Sequence, residues 1–314
     1  MDTLRLPSSL ERSERILVAG AGGGFDVYAG IPIYERLRAL GKHVTLGNLS
    51  FTYLGGTDAE RITPALWRVR PGTVGEDDYF PERTLARFLS RRGEEVHVYA
   101  FEKLGVRPVR EGYRHLARTL DLDAIVLVDG GTDILLRGDE EGLGTPEEDM
   151  TSLAAVASLD TTTRVVTCVG FGVDTYHGVC HASWLENVAA LASEGGYLGA
   201  TAWLASMPEV GVYLDAVADS EAATPGRPSI VNGSVASAVE GRFGDYHRSD
   251  RTRGGRLFIS PLMSLMWAFD LDAVARRNLY LPILSETETV WDVQAAIRAF
   301  HRSVPRRPRQ GIPH

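Results

Sequence analysis

Short apolar runs that stop at glycine- or acid-rich loops and then give way to helical stretches recur along this 314-residue chain, and that alternation restricts the fold more than any other feature. The runs are residues 15–19, 43–49, 95–101, 124–128 and 164–170. Such strands, each followed by a helix, belong to a parallel sheet, whose crossovers lay helices over both faces. The first fifty residues make one unit of this kind: strand, glycine turn, a helix over 27–40 stopped by Gly41, and a second strand reached by a right-handed crossover. The predicted class is therefore α/β, a doubly wound, mostly parallel, Rossmann-like sheet with a helical C-terminal third. A single domain is expected over residues 15–302. Residues 1–14 read as a loosely held lead-in. Residues 303–314 read as a flexible, basic, Pro-rich tail, unable to bury enough apolar surface to order itself alone.

Residues 52–92 look like an insertion over the sheet edge, with a Gly-, Pro- and charge-rich stretch at 71–78 that would serve as a lid. Helices are predicted over 185–192, 202–218, 235–240, 261–277 and 290–301, and further strands over 229–232 and 256–260. Thirty-three basic against 41 acidic residues give a net charge of -8, which argues against nucleic acid or an anionic membrane as partner. A small-molecule substrate is the expected partner, and self-association into a homo-oligomer is left open. Two cysteines, Cys168 and Cys180, cannot form a disulfide scaffold; with no signal peptide or long apolar span, the chain reads as cytoplasmic and reduced.

Three loops at predicted strand ends carry the candidate chemistry. In Gly20-Ala21-Gly22-Gly23-Gly24-Phe25-Asp26 a strand feeds a helix, where bare backbone amides favour a phosphate or carboxylate. Gly22, Gly23, Gly24 and Asp26 are ligand-binding candidates on that ground, with Asn48 at the end of the next strand. The dinucleotide fingerprint is incomplete, because Phe25 stands where its third glycine belongs and no carboxylate closes the second strand. The second loop, Asp129-Gly130-Gly131-Thr132-Asp133, puts two carboxylates at a central strand end, followed by Arg137 and the acids 139–141. Asp129 and Asp133 are candidate catalytic residues and candidate ligands for a divalent metal such as Mg²⁺ or Mn²⁺; Gly130, Gly131 and Arg137 are candidate ligand contacts. Thr145, Pro146 and Glu148 read as a capped helix start, as do Ser183 and Glu186. In the third loop Asp174 and His177 form a candidate acid/base pair, with His181 and Cys180 beside them.

These stretches resemble the family called domain of unknown function 1152. The resemblance rests on residues 19–27, on Asp129-Gly130-Gly131-Thr132-Asp133 continuing to Gly138-Asp139-Glu140, on His177-Gly178-Val179-Cys180-His181 with Leu185-Glu186-Asn187, and on Ser260-Pro261-Leu262-Met263. It implies a single α/β domain and carries no activity. The Asp129-Gly130-Gly131 stretch is also similar to a loop of D-glutamate cyclases, a likeness that points to lyase or cyclase chemistry. The expected function is a hydrolase- or lyase-type enzyme binding a phosphate- or carboxylate-bearing metabolite at the glycine turn, with Asp/His acid–base chemistry. An NAD(P)-dependent oxidoreductase and a non-catalytic nucleotide-binding sensor are the alternatives.

Overall fold

The computed structural model describes residues 2–161 and 163–312. Its strands are β1 (Arg15–Gly20), β2 (His43–Ser50), β3 (Glu60–Thr63), β4 (Leu66–Val69), β5 (Val98–Glu102), β6 (Ala124–Asp129), β7 (Thr163–Cys168), β8 (Tyr197–Ala202), β9 (Gly244–Asp245), β10 (Phe258–Ile259) and β11 (Leu265–Asp270). Nine of them form one sheet in the order β3-β4-β5-β2-β1-β6-β7-β11-β8, while β9 and β10 make a separate ribbon. The inner strands β5, β2, β1, β6 and β7 are parallel, and β3, β4 and β11 add antiparallel pairings towards the two edges. From β1 the chain steps outwards to β2 and β5, then returns to pair β6 against the other side of β1. The crevice between the carboxyl ends of β1 and β6 is thus the topological switch point, where open α/β sheets bind ligands.

The helices are α1 (Ser8–Arg12), α2 (Asp26–Ala29), α3 (Ile31–Ala39), α4 (Pro81–Arg91), α5 (Val106–Thr119), α6 (Pro146–Ala157), α7 (His181–Ser193), α8 (Pro208–Ala223), α9 (Ile230–Val239), α10 (Leu271–Arg277) and α11 (Val290–Ser303). Alternate residues of the inner strands serve two cores. Ile16, Val18, Val126 and Val128 pack with α2, α3, α4, α8 and α9; Leu17, Ala19, Ile125 and Leu127 pack with α5, α6, α7, α10 and α11. The fold is the mostly parallel α/β sheet, covered on both faces, that the alternation predicts. Among the described residues no helix is long and apolar enough to cross a membrane.

Several local expectations change. The helix expected over 27–40 is divided at Gly30, with Pro32 opening the second piece because it has no N–H to give the first. The lead-in contains α1 and buries Leu4 and Leu10 in the core. The insertion extends the sheet through β3 and β4 rather than lying over its edge, and buried Arg83 ties its loop down by donating to the carbonyls of Gly75 (3.1 Å) and Glu76 (2.9 Å). Residues 265–270 form a strand inside the helix expected over 261–277, and the helix expected over 202–218 begins only at Pro208. Residues 230–232 open α9 rather than forming a strand, capped by the Ser229 hydroxyl.

The tail also differs from expectation. Arg307 donates to Asp139 (2.9 Å) and Glu140 (2.8 Å) and pairs with Glu186, and the Glu141 amide donates back to the Arg307 carbonyl at 3.0 Å. The sequence argument weighed only the tail's own apolar surface, whereas the acids that hold it lie far away in the chain. Residues 1, 313 and 314 of the lead-in and tail lie outside the described residues.

Candidate functional site

Acids converge on the switch point from three directions. The loop after β1 turns through its glycines into Asp26, the first residue of α2; β6 ends in Asp129; and α6 carries Asp149 in its first turn. One carboxylate oxygen from each of these three residues lies within 4.8 Å of the other two. Asp129 and Asp149 are buried, while Asp26 keeps an edge to solvent. A Cβ on Gly22 would stand 2.7 Å from Asp26 Oδ2 and 2.8 Å from Asp149 Oδ1, and one on Gly131 would stand 3.0 Å from Asp129 Oδ1. Any larger residue at these two positions would push the carboxylates apart.

The three carboxylates are unequally satisfied. Asp26 Oδ2 accepts from the Gly22 amide at 2.7 Å and Asp129 Oδ2 from the Ile134 amide at 3.2 Å. Asp149 Oδ1 has no hydrogen-bond partner, although the residue is only 2% exposed. A buried acceptor left in that state costs about 1–3 kcal/mol, more if charged, so a proton or a cation belongs there. Burial lifts Asp26 from 3.8 to about 7 and pushes Asp129 and Asp149 well above the usual carboxylate range, with neighbouring carboxylates adding to each rise. Among the described residues none of the three makes an ion pair. The neighbouring Glu148 does, with Lys103.

Asp133 and Asp174 brace the acidic loop around this nest. Asp133 Oδ2 accepts from the amide (2.7 Å) and hydroxyl (3.2 Å) of Thr145, and Asp174 Oδ2 from the amide (2.7 Å) and hydroxyl (3.2 Å) of Thr132. The sequence pairs Asp129 with Asp133 as metal ligands; in the structure Asp26 and Asp149 gather with Asp129, and Asp133 serves the loop. The expected Asp174–His177 pair does not form, because Asp174 is turned to Thr132. His177 is exposed, and burial pushes Asp133 up against the hydrogen bonds it accepts from Thr145.

The remaining candidates are distributed around the rim or away from it. Gly23 (φ +94) and Gly24 (φ +61) are buried beneath Phe51 and Tyr79, and the Gly22 amide is taken by Asp26, so the turn offers no open anion cradle. Asn48 is buried under it, donating to the Gly24 carbonyl (2.8 Å) and to Glu82 (2.7 Å) and accepting from the Val27 amide (3.3 Å). Gly130 lies against Asp26 Oδ1. Arg137 points its guanidinium to Asp139 at 3.3 Å, in the acid cluster latched by Arg307. Cys180 Sγ contacts the backbone of Gln310. Neither expected capping box forms: the Thr145 hydroxyl is on Asp133, Glu148 is on Lys103, and α7 starts before Ser183. A cavity of 320 Å³ lies at the other rim, near the start of β2, lined by Arg38, His43, Glu94 and His97.

Sequence reasoning missed Asp149 and Lys103. The signal for the first was the run Glu147-Glu148-Asp149, three acids where a helix start needs one or two. Fold and site together define an α/β protein with an open, mostly parallel sheet and a nest of carboxylates at its switch point. Residues 56–302 match the model of the family described as protein of unknown function (DUF1152), and the chain belongs to that family. No curated protein and no solved structure matches it. The matched span contains Asp129 and Asp149, while Asp26 precedes it.

Proposed function

We propose that the protein is a divalent-cation-dependent enzyme of hydrolase or lyase type, acting on a small polar metabolite that bears a phosphate or carboxylate. The observation that carries this reading is the grouping of Asp26, Asp129 and Asp149, together with a buried, unpartnered oxygen on Asp149. Two unit charges 4.8 Å apart repel by roughly 3 kcal/mol at an effective dielectric near 20, so three ionised carboxylates here need a counter-charge. Oxygen-ligated Mg²⁺, Mn²⁺ or Ca²⁺ sits about 2.0–2.6 Å from each ligand, a radius that bridges oxygens up to about 4–5 Å apart. The residues therefore suit a hard divalent ion, and such an ion supplies Lewis-acid polarisation of a substrate oxygen. Asp133 and Asp174 hold the loop that carries Asp129.

The nicotinamide reading has less support, since Gly23 and Gly24 are capped by aromatic rings and Asn48 is enclosed. Turnover of a panel of phosphate esters, amides and hydroxy acids, with and without Mg²⁺ or Mn²⁺, tests the proposal. The expected result is a cation-dependent activity that falls by at least about a thousandfold in a folded Asp129→Asn protein. An activity indifferent both to chelator and to that substitution would overturn it.

A further inference from the structure

Which anion the site receives is written in its mouth. The residues of the nest that keep contact with solvent, Gly22 and Asp26, lie in and just after the glycine turn, while Asp129, Asp133, Asp149 and Asp174 are buried. There the ring of Phe51, 47% exposed, lies over Gly23, where a Cβ would meet its Cε1 at 2.5 Å. Lys103 Nζ stands 5.0 Å above the same ring, with 41% of its side chain exposed, and pairs with Glu148, next in the chain to Asp149. The chain contains only two lysines, Lys42 and Lys103, and Lys42 pairs with Glu14. Glu148 uses one of the three N–H donors of Lys103, which leaves the others free to face the mouth.

We propose that Lys103 is the anion anchor of this site and that the substrate is a phosphorylated small metabolite, bound with its phosphate between Lys103 and the cation held by the three aspartates. The inference rests on the cation reading above. Two chemical arguments select phosphate. A hard divalent ion with carboxylate ligands characteristically completes its shell with substrate phosphate oxygens. A lysine provides a compact point charge of the kind that commonly anchors a phosphate.

Calorimetric titration separates the parts. Mn²⁺ alone is titrated first, then inorganic phosphate, pyrophosphate and oxalate into the Mn²⁺-loaded protein, for the parent and for Lys103→Gln, Lys103→Arg and Glu148→Gln. Lys103→Gln should bind Mn²⁺ at least as tightly as the parent, since removing a positive charge beside the nest cannot repel the ion more. It should bind pyrophosphate at least tenfold more weakly, Lys103→Arg should retain most of the affinity, and Glu148→Gln should retain or strengthen it. If Lys103 only neutralises Glu148, Lys103→Gln will bind pyrophosphate like the parent, and the proposal fails while the cation site stands. Tighter binding of oxalate than of either phosphate probe, or binding of none of them by the Mn²⁺-loaded parent, also overturns it. Failure of Mn²⁺ itself to bind instead removes the cation reading on which the inference rests.

Discussion

A carboxylate oxygen buried without a partner must hold a proton or a cation, and at Asp149 the two outcomes can be forced apart. Without the ion the parent must keep Asp149 protonated, a cost that grows with pH and that asparagine does not incur, so at neutral pH the metal-free Asp149→Asn protein should be more stable than the parent by about 1–3 kcal/mol. The same change should abolish the rise in melting temperature that millimolar Mn²⁺ gives the parent, and thermal denaturation with and without the ion reads both effects. Proton competition gives a second expectation. Because burial holds Asp26 at about 7 and the other two acids above their usual range, the ion must displace protons as it binds. Mn²⁺ affinity should therefore fall at least tenfold per pH unit below about pH 7; a flat calorimetric profile between pH 5.5 and 7.5 would contradict this. Asp129 was legible in the sequence because a strand-end acid followed by two glycines has little packing role. Asp149 was not, because an acid in the first turn of a helix is what the macrodipole alone would favour.

At the scale of elements, local pattern misled where sheet pairing decided the structure. Residues 261–277 carry apolar side chains at near-helical spacing, yet Leu265–Asp270 pairs antiparallel with both β7 and β8, and the helix waits for Asp270, whose carboxylate accepts from the Ala273 amide at 2.8 Å. Pairing with two neighbours outweighs the small differences in propensity that a single sequence reports. Helix α4 offers a test of burial at an element's start. Glu82, fully buried and bonded to Asn48 beneath the glycine turn, is raised from 4.5 to about 7, chiefly by burial. An acid held above its unfolded value binds more protons in the native state, so its contribution to stability declines as pH rises from about 4.5 to about 7 and stays low above that. Glu82→Gln should thus match the parent near pH 4.5 and exceed it by roughly 3 kcal/mol at pH 8, as read by urea denaturation. A constant difference across that range would show that Glu82 is not the titrating group.

Across the whole molecule, the parallel core and its strand ends follow directly from the alternating pattern, whereas the contacts that close the structure join residues too distant in sequence for any pattern to reveal. Arg307 reaches across more than 160 positions to Asp139 and Glu140. Glu140 is 1% exposed and also accepts from the Arg137 and Gly138 amides and from Asn187. Arg307→Ala should cost about 1–3 kcal/mol, less than loss of a wholly buried partner because a quarter of the arginine side chain remains exposed, and chemical denaturation measures it. The central claim concerns the other acid cluster, at the switch point between β1 and β6. Diffraction from crystals soaked in Mn²⁺, recorded at the manganese absorption edge, addresses it most directly. The account predicts an anomalous peak within coordination distance of Asp26, Asp129 and Asp149; a map with no peak there, or with manganese only at the acids around Arg307, would contradict it.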